Sequence, residues 1–93
     1  LQWITDSGLT VLISDNIAVE CSPSRHTHDD PCVNLPLHAH CLFKLGVHLG
    51  EMFLLSDLAD WLRENARSRF MLTAPPLRLP GAVGSPSTAV ATV

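Results

Sequence analysis

The stretch Gly46-Val47-His48-Leu49-Gly50-Glu51-Met52-Phe53 decides how the chain reads. Val47 to Leu49 is a short apolar run between two helical patterns, and it leads into one carboxylate. Such a run reads as a buried strand, and Glu51 then stands at its carboxyl end. Gly50, Met52 and Phe53 flank Glu51 and suggest buried surroundings, where a carboxylate needs a partner. The plain alternative is a solvated glutamate at a strand end, since acidic side chains are mostly exposed.

The pattern preceding this stretch is helical. Leu35 to Leu45 (LPLHAHCLFKL) has Pro36 in its first turn and Gly46 past its end, the usual punctuation of a short helix. At helical pitch His38 and His40 stand roughly 200° apart, so only one of them can face a given point. After it, Ser56 to Asn65 reads as a second helix. Ser56 suits the N-cap and Asp57 the positive end, while Leu55, Leu58, Ala59 and Leu62 form the packing stripe. Asp60, Glu64, Arg63 and Arg67 read as surface charges.

Further out, Leu1 to Ser7 followed by Gly8 looks like the end of a helix. Leu9 to Ile13 (LTVLI) reads as a strand covered on both faces. Ser14-Asp15-Asn16 closes it with turn formers. Ile17 to Cys21 (IAVEC) extends that strand or forms another. Phe70 to Ala74 reads as a strand stopped by Pro75-Pro76, with Leu77 to Leu79 resuming it. Pro80 to Pro86 is a glycine-bearing turn region, and Ala89 to Val93 is a strand expected to be tucked into a sheet. Strands alternating with helices indicate an α/β class, with a thin core for this much chain.

Ser22 to Asn34 (SPSRHTHDDPCVN) is polar and broken by proline, and reads as a long variable loop. His26, His28, Asp29 and Asp30 within it have the chemistry of metal ligands. Without a nameable supporting partner, they read as a solvated loop with incidental histidines.

Bulk properties narrow the function. Ninety-three residues make one small domain or a piece of a larger one. The chain opens on Leu1 in what looks like the body of a helix, so the natural start is expected upstream. The net charge is −3, with no basic stripe, which gives nucleic-acid binding no support. No apolar run approaches the about 18 residues of a membrane span. Cys21, Cys32 and Cys41 are odd in number and form no CxxC pair, so they read as free thiols of the cytoplasm.

Four blocks occur in order: Val11 to Glu20 (VLISDNIAVE), Leu35-Pro36-Leu37-His38, Gly46 to Phe53 (GVHLGEMF) and Ala74 to Pro86 (APPLRLPGAVGSP). Together they resemble the C-terminal part of the cyclase family of metal-dependent hydrolases, the group of bacterial kynurenine formamidase and isatin hydrolase. The resemblance spans nearly the whole chain apart from the histidine-rich loop.

That resemblance implies a C-terminal fragment of a swivelling β/β/α domain over residues 1–93. It implies hydrolysis of an aryl formamide or cyclic amide, as in tryptophan, kynurenine or indole breakdown, at a bound Zn²⁺ or Mn²⁺. A homo-oligomeric full-length protein is also implied. The family's metal motif, of the form HxGTHxDxPxH, is absent. Thr27-His28-Asp29-Asp30-Pro31 echoes it without its glycine, its proline spacing or its final histidine.

By resemblance, His38 and Glu51 are the site residues that orient substrate and help move protons. His40 is the rival to His38. Asp15 and Glu20 match recurrent acidic positions without an assigned role. No metal is expected on this chain alone, which is therefore expected to lack catalysis. Two other functions fit the residues: a non-catalytic α/β interaction or oligomerisation module, and a small metal-binding protein using His26, His28, Asp29 and Asp30.

Overall fold

A parallel pair of three-residue strands organises the first part of the molecule. The structure, a computed structural model, describes residues 1–21 and 35–93. The loop expected over residues 22–34, with Cys32 and the candidate ligands His26, His28, Asp29 and Asp30, lies outside the described residues. The described chain divides into two compact units, Leu1–Leu55 and Ser56–Val93.

In the first unit, helix α1 spans Gln2–Ser7 and stops at Gly8, whose φ of 69° lies in the left-handed region. Strand β1 (Val11–Ile13) then pairs in parallel with β2 (His48–Gly50), Val11 opposite His48 and Ile13 opposite Gly50. Parallel neighbours require a crossover connection. Its returning limb is helix α2, Pro36–His38, which runs on as a π-helical segment over Ala39–Leu45.

The sequence predicts one short helix here, and the position is right. The pitch differs: the Gly46 N–H donates to the Cys41 carbonyl, the i→i+5 bond that defines a π turn. Val47 N–H donates to the same carbonyl at 2.8 Å, so Cys41 ties the helix end to the start of β2.

Ile4, Cys41 and Val47 are the buried hydrophobic residues among those described, with Leu12, Leu37 and Leu49 packed against them. Leu12 and Leu49 are partners in the strand register and therefore share one face of the pair. That face receives α1 and the π segment. The expectation of strands covered on both faces is corrected: Val11, one residue out of phase, is exposed.

Ile17–Cys21 forms bends up to Glu20 rather than a strand. The reason lies in where its neighbourhood spends its hydrogen bonds. Asn16 gives its carbonyl to the Met52 N–H at 2.8 Å, and Val19 N–H donates to the Glu51 carboxylate at 3.2 Å. A backbone bonded to a turn and a side chain does not enter a ladder.

In the second unit, helix α3 covers Ser56–Glu64 with Asp57 in its first turn. Leu58, Ala59, Trp61 and Leu62 are its half-buried positions, close to the expected stripe. Arg63 pairs with Asp60 at 2.7 Å in the open. Arg67 is not simply a solvated charge: its guanidinium lies 5.3 Å from the centre of the Trp61 ring.

Strands β3 (Met71–Thr73) and β4 (Val90–Thr92) pair antiparallel. Beyond β3 the pairing resumes only as a bridge between Pro76 and Ser87. β4 is not tucked in as expected: Val90 is exposed, because each strand of a two-stranded ribbon is an edge. The helices, the parallel pair and its crossover helix make this an α/β fold.

Candidate functional site

The end of β2 is held tightly. Ser14 N–H donates to the Gly50 carbonyl at 2.9 Å, and Phe53 N–H donates to the Ser14 carbonyl at 3.1 Å. At Gly50 the backbone is crowded: a Cβ there would stand 3.0 Å from Ile13 Cγ1 and 3.0 Å from Phe53 Cε2. Only glycine fits. Two residues on, Met52 has φ 58°, a conformation rarely adopted by a side-chain-bearing residue. Between them sits Glu51. The Ser14 hydroxyl below is buried with no hydrogen-bond partner among the described residues.

Glu51 is directed at the crossover helix. Its Oε1 lies 3.2 Å from His38 Nε2 and accepts the Val19 N–H at 3.2 Å. Its side chain is 28% exposed and that of His38 26%. The surroundings are less buried than the flanking residues suggest, since Met52 is exposed.

The other face of the His38 ring is also occupied. His38 Nδ1 is 2.5 Å from Glu20 Oε1. The same carboxylate accepts two backbone donors at the start of α2: Leu37 N–H on Oε2, and His38 N–H on Oε1 at 3.4 Å. The first N–H groups of a helix have no partner within it, and a carboxylate is favoured there. The Glu20 side chain is only 6% exposed, and these contacts satisfy it.

Proton counting limits what the site holds. A neutral imidazole has one N–H, whereas both ring nitrogens of His38 face carboxylate oxygens. The tautomer that carries its proton on Nδ1 donates it to the Glu20 carboxylate in a hydrogen bond. The contact between Nε2 and Glu51 then brings two acceptors together unless a second proton, or a cation, lies between them. The arrangement is thus suited to gaining and giving one proton at its open end.

His40 has a different partner. Its Nε2 lies 2.9 Å from Thr5 Oγ1 on α1, consistent with the opposite facing expected from helical pitch. Asp15 is exposed. Cys41 is fully buried, and its thiol pKa is raised, first by that burial and then by the Glu20 charge. It is not a ready nucleophile.

No protein-family model matches the chain. No curated protein matches it either. A solved structure does: the crystal structure of a novel cyclase, with 38% sequence identity and a TM-score of 0.81 over 99% of this chain. The chain has the fold of a cyclase segment. It spans 27% of that cyclase's length.

Within the cyclase-like segment, the structure brings together His38 and Glu51, the two residues the sequence resemblance singles out, while His40 pairs with Thr5 instead and Asp15 is exposed. Glu20 is the residue whose part sequence reasoning left unassigned. One signal pointed to it: a lone carboxylate between Val19 and Cys21 in an otherwise apolar run, where a charge is costly unless it is paired.

Proposed function

We propose that this cyclase-like segment belongs to a metal-dependent amidohydrolase of the cyclase family, acting on an aryl formamide or a cyclic amide. His38 and Glu51 are its proton-handling pair. The observation that carries this reading is the 3.2 Å approach of His38 Nε2 to Glu51 Oε1, with Nδ1 tied to Glu20 behind it. Hydrolysis adds a water oxygen to the carbonyl carbon, breaks the C–N bond and returns a proton to the leaving nitrogen. An imidazole–carboxylate pair takes the water's proton and delivers it to that nitrogen, a contribution typically worth about 10²–10⁴-fold.

The family resemblance also implies a divalent metal. When bound, such an ion polarises the carbonyl and lowers the pKa of water. The described donors fall short of the about three protein ligands that such an ion takes. A ring nitrogen and a carboxylate oxygen converge, and the second ring nitrogen is anchored by a carboxylate, as supporting groups anchor ligating histidines. In the reading above His38 and Glu51 both act on the substrate side and not as ligands. Among the described residues, no cluster of three or more His, Cys, Asp or Glu is arranged to bind an ion, so its ligands would come from elsewhere in the protein.

A cytoplasmic, homo-oligomeric enzyme completes the proposal. Cys21 and Cys41, which are not paired with each other among the described residues, support the first part of it. No helix among the described residues is long and apolar enough to cross a membrane.

The test uses the full-length protein with Zn²⁺ or Mn²⁺, N-formylkynurenine and isatin as substrates, and the variants H38A and E51Q. Each variant is expected to lower kcat by about 10²-fold or more. Wild-type turnover that survives both substitutions would overturn the assignment.

A further inference from the structure

We infer that Glu20 is the positioning residue of this site: it fixes the tautomer and plane of the His38 ring and, with the same carboxylate, fastens the start of the crossover helix. The inference deepens the functional reading above, but its structural half stands on geometry alone.

Glu20 divides its two oxygens between the two tasks. Oε2 accepts the Leu37 N–H, while Oε1 faces His38 Nδ1 as its hydrogen-bond acceptor and receives a longer contact from the His38 N–H. The residue reaches both from the bent segment before residue 22, which no helix or strand holds in place. That segment is instead anchored by Val19 N–H on Glu51. The two carboxylates therefore brace each other: Glu51 holds the backbone next to Glu20, and Glu20 holds the ring that faces Glu51.

The consequence for the ring is specific. With Nδ1 obliged to donate, Nε2 alone is left to exchange a proton at the open end. In this geometry Leu37 N–H and His38 Nδ1 sit on different oxygens of Glu20. Glu20→Gln keeps the shape and removes one acceptor, so its amide must leave one donor facing an NH₂ group.

The experiment is long-range ¹H–¹⁵N correlation of the histidine side chains in the ¹⁵N-labelled full chain, wild type and E20Q. In the wild type, Nδ1 of His38 is expected to show the signature of a protonated nitrogen. In E20Q it is expected to shift toward a mixture of tautomers. Unchanged amide signals for Ile4 and Val47 would report an intact core. A bare Nδ1 in the wild type overturns the inference, whether or not E20Q folds. An unaltered tautomer in a folded E20Q overturns it too.

In the full-length protein, E20Q is expected to lower kcat by about 10–100-fold with little change in KM, the usual effect of removing a group that orients a working histidine. A fixed tautomer in a protein whose turnover ignores H38A would retain this inference and discard the functional proposal.

Discussion

Glu20 and His38 lie 18 positions apart in the sequence, and their side chains meet at 2.5 Å between Oε1 and Nδ1. The contact is made by a carboxylate that also closes the first turn of α2. Glu20→Ala removes both supports and leaves the Leu37 N–H without its acceptor. Hydrogen bonds to a charged group contribute about 1.5–3 kcal/mol each. A loss of that order is expected in a urea titration of the wild type against the variant.

Gly50→Ala tests the crowding at the end of β2. Its methyl group would meet Ile13 and Phe53 side-chain atoms at 3.0 Å. Overpacking of this kind costs about 1–3 kcal/mol. Thermal unfolding should register it as a lowered Tm, and Glu51, the next residue, should lose its register with His38.

Met52 invites the opposite change. Its φ of 58° is costly for any side chain, and the side chain itself is exposed. Glycine at this position removes the conformational penalty while adding freedom to the unfolded chain, two effects of about 1 kcal/mol that largely offset. A β-branched residue only adds strain. Met52→Gly is therefore expected to be tolerated and Met52→Val to be destabilised, measured side by side in denaturant.

Cys21 and Cys41 should differ sharply toward an alkylating reagent. Cys21 is exposed, whereas Cys41 is buried and its thiol is raised above the ordinary value by burial and by Glu20. The thiolate is the reactive form, so a raised pKa leaves less of it at any given pH. Iodoacetamide at mildly alkaline pH should label Cys21 first, with Cys41 labelled only after denaturant is added. Peptide mass spectrometry reads the order.

Residues 1–93 by themselves should not turn over N-formylkynurenine or isatin when supplied with Zn²⁺ or Mn²⁺. A catalytic metal site takes about three protein ligands, and His38 and Glu51 offer two at most. Metal-dependent hydrolysis above the buffer rate, lost in Glu51→Ala, would mean that the segment contains a whole site.

Much of this was legible in the residues. Gly8 and Gly46 ended their helices where expected, because only the left-handed region lets the chain turn there. The parallel strands were marked by two short apolar runs. His38 and Glu51 came from the order of the blocks, not from periodicity. Two kinds of feature escaped. The bends from Ile17 to Glu20 carry strand-like residues, yet their donors are taken by a distant carboxylate. Covered faces were inferred from apolar composition, but Val11 and Val90 lie on exposed strand positions. Composition records a preference for burial; it does not record which partner is at hand to bury the residue.

The parallel pairing of β1 with β2 has a kinetic consequence. Everything from Ser14 to Val47 lies in the connection between the two strands, so the first contact between them closes a long loop before it gains a single ladder bond. Glu20 leaves along the outgoing limb, His38 returns on the incoming one, and Glu51 stands just past the landing strand. Loop closure and assembly of the three side chains are then one event, and contacts of such sequence separation form slowly. A chain caught midway would have no site at all.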